Sequence, residues 1–489
     1  MSRGRTGHTD YNSCLVKSKG TEKASQLRQQ AAPAGTCSLL IIGGGMAGLT
    51  AAIYAALSWE AATPFNIVLL DANKEPGKKL LVTGNGRCNI TNLVQNADCY
   101  RSSAGDALKD SFFCDCAAWP EQLLEFLHSE LDVLTHDRQG YVYPRSDQAS
   151  TIQKALLRKA NALGIQILSG VRATSVAARL DENGRRKFLV TASGLPSGRS
   201  IRADSVILAT GGMVSEAYGC TGDGYRLAQS LGHPVTRRFP SLCMLLSTDP
   251  GLQRLAGVRT TGEIRLYSDG QMLASSRGEL QFTAEGISGI PTFQVSRYAA
   301  EAKGNHTVTA VIDFLPELSD AQWEQICSQR LGKACEEISA VQQAVLENRS
   351  IRGTSLLQEF LLGLVPDKTA AFLIDRCGEV PERKLYKLPH PEQTLRRLLD
   401  LVRHAEFAVT GTPGFEKAQV TAGGVSLSGI DAGMESTKVP GLYLAGELLD
   451  VDGICGGYNL TFAFHSGSAA GKSAARRLMK ENGDNKCSN

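Results

Sequence analysis

Apolar residues along this chain gather into short runs that end in glycine. Residues 39–42 form one such run and predict a strand buried on both faces, as in a parallel sheet. Residues 49–57, rich in Ala and Leu, predict a helix directly after it, and residues 66–70 a second strand that ends at Asp71. Residues 121–131 carry a helical pattern, residues 140–145 a strand and turn, and residues 148–163 an amphipathic helix stopped by Gly164. Short strands are expected over 165–168, 171–176 and 188–191, with turns at 181–184 and 195–198. Residues 206–212 repeat the opening theme, a buried strand closed by a glycine pair. After a helix ending at Gly232, residues 237–314 alternate short strand-like runs with turns. Residues 317–372 and 392–402 look helical, with a connector over 381–391. Strand-and-glycine character returns at 418–425 and 441–447, before a final helix to about Met479.

The glycines after the first run are Gly43, Gly45 and Gly48, spaced G-x-G-x-x-G between strand and helix. In that context the first permits a tight turn, the second lets backbone approach a diphosphate, and the third lets helix pack on strand. The helix N-terminus then presents free N–H groups and a positive dipole end to an anion. Asp71 stands 23 residues after Gly48, where a ribose-binding carboxylate belongs. The stretch 75–92 is dense in Gly, Asn and cations. Pro76, Gly77, Gly84 and Gly86 argue against a regular element there, while Lys78, Lys79 and Arg87 add charge beside the expected diphosphate. Ala209, Thr210 and Gly211 bring bare backbone to the same nucleotide, and Gly456 and Gly457 open the last helix with free N–H groups.

Length suggests about three domains. Hydrophobic content of 42% with 21% charged residues describes an ordinary globular chain, and a net charge of +3 gives no argument for nucleic acid or an anionic membrane as partner. No run of 18 apolar residues occurs. The thirteen cysteines include no C-x-x-C, and the spacing of Cys114 and Cys116 suits neither a zinc knuckle nor a redox dithiol, so no metal is expected. Reduced thiols and a cytoplasmic location are expected. Residues 1–35, with six Lys or Arg against two acids, lack the apolar core of a secretory signal and read as a disordered leader.

Taken together, GGGMAGL (43–49), GKKLLVTGNGRCNITN (77–92), GYVYPRSDQA (140–149), ILATGG (207–212), GCTGDGYRLAQSLGH (219–233), FTAEGISGIP (282–291), AQVTAGGV (418–425) and GLYLAGELLDVDGICGGYNLTFAFHSG (441–467) resemble one family. It is the group of two-dinucleotide-fold flavoproteins described as aminoacetone-oxidase-like or BaiN-like. The resemblance implies an α/β fold: a discontinuous, Rossmann-like FAD-binding domain with an inserted β-barrel-like and helical cap. Its implied parts are a leader (1–36), an FAD-binding domain in two pieces (37–215 and 411–480), a β-rich insert (216–316), a helical part of the insert (317–410) and a tail (481–489). It assigns Gly43, Gly45, Met46, Ala47 and Gly48 to the diphosphate, Asp71 to the adenosine ribose and the Val171 backbone to adenine. It sets Arg87, Cys88 and Asn89 near the flavin, and Gly446, Glu447, Asp450, Tyr458, Asn459 and Leu460 on ribityl and pyrimidine. Lys79 and the turn Ala209–Gly211 join this set as cofactor-binding residues. Two departures stand out: Asp71 where the family has Glu, and FTAEGISGIP where the family often has FTHxGxSGP. The second lies on the substrate side.

The chemistry implied is hydride transfer through FAD, with NAD(P)H as a transient donor, since no second dinucleotide fingerprint is visible. The expected substrate is an unsaturated small molecule such as a ketosteroid or bile-acid intermediate, with Tyr458 and Tyr143 as candidate proton donors and Arg87 as a stabiliser of enolate-like charge. An amine oxidase using dioxygen is the alternative enzyme reading. A flavin-binding module for RNA or protein partners is a third, which the near-neutral charge disfavours.

Overall fold

A computed structural model describes residues 35–195, 200–302, 304, 307–350 and 354–484. Residues 1–34 of the expected leader therefore lie outside the described residues, and Thr36 already belongs to the first strand.

The first half builds one sheet. Its strands and helices are β1 (Thr36–Ile42), α1 (Met46–Leu57), β2 (Ile67–Asp71), α2 (Ala149–Ala162), β3 (Gln166–Ser169), β4 (Arg172–Leu180), β5 (Arg186–Ser193) and β6 (Ser200–Leu208). The order is β3-β2-β1-β6-β5-β4. β1 runs parallel to both β2 and β6, with Ile42 level with Leu70 and Leu208, so three strand ends open on one edge. Leu39 to Ile42 are buried because helices cover both faces of such a sheet. The outer side of β6 is shared: Ser200 to Ala203 pair antiparallel with β5, while Val206 to Leu208 pair parallel with a late strand that the insert precedes.

The insert has its own hydrophobic core, running from Leu245 to Phe407. Its elements are β7 (Leu245–Leu246), β8 (Arg259–Ser268), β9 (Gln271–Thr283), β10 (Gly286–Gly289), α3 (Ile290–Ala302), β11 (Val308–Asp313), α4 (Asp320–Leu346), α5 (Asp367–Arg376), α6 (Pro391–Arg403) and β12 (Ala405–Val409). They give a six-stranded antiparallel sheet, β7-β10-β9-β8-β11-β12, whose two outer ends meet at one bridge, Leu246 to Gly411. Buried Asp313 ties sheet to helices, accepting from Arg265 at 3.2 Å and from Arg403 at 2.9 Å. Ser319 and Gln322 form a capping box that starts α4.

Three elements differ from the sequence reading. β12 lies inside the stretch expected to be helical: past Arg403, Ala405 and Phe407 face in while Glu406 and Ala408 face out, a period of two. α3 lies inside the stretch read as β-rich. Its Pro291 stands in the first turn, where proline loses no hydrogen bond. Finally, residues 78–86 are not irregular; they form 3₁₀ turns broken at Thr83, Gly84 and Asn85, the last two at φ of 56° and 55°.

The chain then returns to the first sheet through β13 (Leu442–Leu444) and ends in α7 (Tyr458–Asp484), which extends into the expected tail. α7 crosses α1 with no side chain between them. A Cβ on Gly467 would stand 2.3 Å from the Ala47 carbonyl oxygen, and one on Gly471 2.2 Å from that of Ala51. Among the described residues, no helix is long and apolar enough to cross a membrane.

The insert is clamped onto this domain by α3. Arg297 donates to Asp452 at 2.7 Å, with only 9% and 1% of the two side chains exposed. Arg101 donates to the Gln294 carbonyl at 2.9 Å, and the Gln294 side chain accepts from the Cys455 backbone at 3.2 Å. The Tyr298 ring faces both guanidiniums, at 5.4 and 5.7 Å. Burial pushes the Asp452 carboxyl up to about 6, against the pull of Arg297 and Arg101.

Three outcomes follow for stability. Gly471→Ala forces the helix backbones apart and costs about 1–3 kcal/mol by denaturant unfolding, whereas Gly332→Ala, in α4 with open space around its Cβ position, gains about 0.5–1 kcal/mol. Arg297→Met strands a buried carboxylate and costs about 3–5 kcal/mol, most of which Arg297→Met with Asp452→Leu restores. The Asp452 pKa in the fold lies above its unfolded value of about 3.9. Its contribution is therefore full below pH ~4 and is lost as pH rises through about 6. Asp452→Asn flattens that part of the stability curve, which thermal melts across the window will show.

Candidate functional site

The strand ends of the first sheet, the loop 77–89, the approach to α7 and one wall of the insert enclose a cavity of about 850 Å³. Its floor is the glycine turn. Gly43 has φ 110° and lies so near the end of β6 that a Cβ would come within 2.3 Å of the Ala209 oxygen. A Cβ on Gly48 would stand 1.8 Å from the Gly43 oxygen, so Gly48 is a packing contact and does not line the cavity. Gly45 differs: nothing lies within 4 Å of its Cβ position, which faces open space at the start of α1. Met46 and Ala47 line the cavity beside it.

Asp71 closes one end. Its carboxylate accepts from the backbone N–H of Gly44 and of Asn73, each at 2.7 Å. Burial raises its pKa, while those two N–H groups and Arg172 pull the other way. The Val171 N–H donates to the Asp71 carbonyl at 2.9 Å, which sets Val171 in the wall. Arg172 beside it donates to Thr221 Oγ1 at 2.7 Å and pairs with Asp223. Sequence reasoning did not nominate Arg172, which carries no fingerprint of its own, or Thr221, which lies within the quoted 219–233 motif.

Along the middle run Ala209, Thr210, Gly211, Gly446 and Glu447. Thr210 Oγ1 is buried without a hydrogen-bond partner. Lys79, expected near a diphosphate, is paired at 2.5 Å with Glu447, which also accepts from the Thr421 N–H at 2.9 Å. Burial acts to lower the Lys79 ammonium, but Glu447 and Cys220 outweigh it and its pKa ends raised. Asn459 and Leu460 line the cavity, the Asn459 side chain bonding both backbone groups of Gly453 at 2.8 and 3.0 Å.

Three distant motifs converge at the far wall. Thr91 and Asn92 pair with Val142 and Tyr141 in a short antiparallel ladder. With its nitrogen turned toward them, the Asn89 amide donates to the Val142 and Thr91 carbonyls at 3.2 and 3.0 Å. A Cβ on Gly457 would meet the Thr91 backbone at 2.7 Å, and one on Gly456 would meet the Tyr141 ring at 2.9 Å. Arg87, Asn89, Tyr141, Tyr143 and Cys455 therefore share one patch of the cavity. The Tyr143 ring lies under two guanidiniums, Arg87 at 5.8 Å and Arg138 at 5.4 Å.

Besides Gly48, three nominated residues stand outside the cavity. Cys88 is fully buried at φ 60°, its thiol pushed up to about 11 by burial. It turns the chain so that its neighbours Arg87 and Asn89 reach the cavity. Asp450 is 2% exposed and holds the Ser103 N–H at 3.1 Å. Tyr458, nominated as proton donor, spends its hydroxyl on the Val94 carbonyl at 3.1 Å and does not reach the cavity. Its position at the start of α7 turns the ring down into the aromatic cluster around Tyr100. The insert lines the cavity with an apolar wall of Leu242, Ile290 and Phe293; Ile290 lies in the 282–291 segment expected on the substrate side, whereas sequence reasoning missed Leu242 and Phe293. Among the described residues, no group of three His, Cys, Asp or Glu could hold a metal ion.

The chain is 38% identical over 446 residues to a 3-dehydro-bile acid delta(4,6)-reductase of Clostridium scindens, covering 89% of this chain and 98% of that protein. It is 28% identical over 441 residues to a ribosomal RNA dihydrouridine synthase of Haemophilus influenzae, covering 90% and 98%. It also resembles a solved 3-ketosteroid-delta4-(5alpha)-dehydrogenase of Rhodococcus jostii, at 15% identity and a TM-score of 0.45, covering 91% and 98%. The family model described as the HI0933-like protein Rossmann domain matches residues 37–473, and the chain belongs to that family.

Proposed function

We propose that this protein is an FAD-dependent oxidoreductase that saturates a carbon–carbon double bond conjugated to a carbonyl in a small, apolar, steroid-like molecule. The observation that carries this reading is the continuity of the cavity, from a dinucleotide cradle at Gly45 and Asp71 to the apolar wall of the insert. The cradle fits an adenine dinucleotide on its own geometry. Gly45 leaves room for a diphosphate against the N–H groups opening α1. Each Asp71 oxygen, after its one backbone bond, keeps an acceptor site for a ribose hydroxyl.

Bound there, FAD supplies a two-electron hydride donor. The chain's own residues bind and orient. Asp71 and Val171 would hold the adenosine, Gly43 to Ala47 the diphosphate, and Gly446, Glu447, Asn459 and Leu460 the middle of the cofactor. Arg87 lines the cavity and would stabilise negative charge as it develops on the substrate carbonyl. The apolar wall excludes water and accepts a hydrocarbon body. NAD(P)H is the proposed external reductant.

The names of the two relatives share a chemistry. A delta(4,6)-reductase of a 3-dehydro-bile acid and a dihydrouridine synthase both act on ring double bonds in reach of a carbonyl. The 28% relatives from Haemophilus influenzae and Escherichia coli therefore support a second reading, a uracil base in ribosomal RNA. Val82 and Ile290, 43% and 48% exposed at the cavity, favour the apolar small molecule, as does a net charge of only +3.

Two outcomes are expected. Purified protein carries FAD that NADH or NADPH bleaches anaerobically, and a 4-en-3-one or 4,6-dien-3-one steroid restores the oxidised spectrum with one hydrogen molecule added per double bond. Failure with every enone, together with dihydrouridine formed in ribosomal RNA, selects the second reading. Gly45→Val keeps the melting temperature, since its Cβ position is open, but binds FAD at least about tenfold more weakly, or ~1.4 kcal/mol, by fluorescence titration.

A further inference from the structure

Reduction of a conjugated C=C needs a proton as well as a hydride, and the site described above has no established donor. Tyr458 is spent on the Val94 carbonyl. Tyr143 lies beneath the exposed Arg87 and Arg138 at the rim, where its ring serves as a platform for cations. Tyr141 is set differently. It is two residues before Tyr143 on the same strand, so both side chains project to one face. Its ring rests against Gly456, whose φ of 135° and missing Cβ make room for it. Its strand is fixed by the ladder to Thr91 and Asn92, and the neighbouring Cys455 backbone is fixed by Gln294 of the insert. Its hydroxyl has no hydrogen bond to any described residue, and Tyr141 lines the cavity.

We propose that Tyr141 is the catalytic proton donor of the reduction. This rests on the reading of the protein as an enone reductase. FAD held at the cradle would supply the hydride to the β-carbon, and the C=C electron pair would then move toward the carbonyl as an enolate. The Oη–H bond of Tyr141 then breaks, and its proton forms the new C–H bond at the α-carbon. The phenolate takes a proton back from water at the cavity mouth, and the nicotinamide restores the electron pair to the flavin. Burial, with Cys455 and Tyr143 adding to it, raises the Tyr141 pKa, so the phenol carries its proton at neutral pH.

The test uses the full-length FAD-loaded protein and compares Tyr141→Phe with Tyr267→Phe, a tyrosine of β8 that does not line the cavity. Tyr141→Phe should keep its FAD and its rate of anaerobic reduction by nicotinamide, yet the reduced protein should be reoxidised by the enone at least about a hundredfold more slowly. Tyr267→Phe should change that step by less than about threefold. A second readout needs no turnover. p-Nitrophenolate, a planar anion standing in for the enolate, is titrated into oxidised protein by absorbance, and Tyr141→Phe should bind it at least about tenfold more weakly than wild type. A third uses 3,5-difluorotyrosine at position 141, whose more acidic phenol should move the alkaline limb of the pH–rate profile downward. Reoxidation within threefold of wild type and unchanged p-nitrophenolate affinity in Tyr141→Phe overturn the proposal. If wild-type protein reduces no enone, the enone reading falls, and the p-nitrophenolate titration alone decides whether Tyr141 faces a bound anion. Should Tyr141→Phe lose FAD, the fluorotyrosine profile decides: an unmoved limb overturns the assignment.

Discussion

Two helices that begin more than four hundred residues apart touch backbone to backbone, and the site depends on that contact. Gly467 and Gly471 of α7 lie on the carbonyls of Ala47 and Ala51 of α1. Both helices must be small-faced at the same spacing for the contact to exist. The consequence is positional. α1 starts at the glycine cradle, so a helix laid on its flank must start nearby as well. The residues before α7, Gly446 to Gly457, are thereby delivered to the cavity from the far end of the chain. That arrangement is formed from buried backbone contacts and from a core that runs from Cys37 to Leu478.

The same short approach to α7 also fixes the insert. Asp452 takes Arg297, the Cys455 N–H takes Gln294, Gly456 takes the Tyr141 ring and Gly457 takes the Thr91 backbone. A buried ion pair is a weak source of stability, because desolvation offsets most of the Coulombic gain. Its effect here is better described as selection among docking poses: a carboxylate sealed from water tolerates only the pose that brings a guanidinium to it. The insert has a core of its own, so it can dock as a rigid wall, and a shift of one turn along α3 would part Arg297 from Asp452 and Gln294 from Cys455 together.

The cradle was legible because its glycines answer to backbone geometry, and backbone geometry has a residue signature. Gly43, Gly45, Asp71 and the strand ends lie where spacing placed them. Legibility failed where a side chain's direction was at issue. Cys88, Asp450 and Tyr458 sit inside the right motifs, but each points away from the cavity to satisfy a packing or hydrogen-bond need. Tyr141 was passed over for Tyr143, although alternation along a strand puts both on one face. The insert's wall was legible only in part: segment 282–291 carried a signal, but Leu242 and Phe293 are ordinary apolar residues, and only the docking of α3 makes them a surface of the site. α3 itself was hidden by its place within a run of short strands, and β12 by its place directly after a long helical stretch.

This division between legible cradle and hidden wall has a chemical side. The cradle meets the part of a cofactor that does not vary, so its residues are held by close backbone contacts that admit little change. The wall meets whatever is to be reduced. It includes Ser288, Gly289 and Ile290, within the second of the two places where this chain departs from the pattern of the flavoproteins it resembles. Gly289 has φ 103° and its Cβ position lies 2.3 Å from the Glu279 oxygen, so the strand path there is fixed. Ile290, next in the chain and 48% exposed, is free to differ. The backbone there is fixed, and the side chain it carries into the cavity lining is apolar, as is Val82 of the same lining, which suits the steroid-like body proposed above.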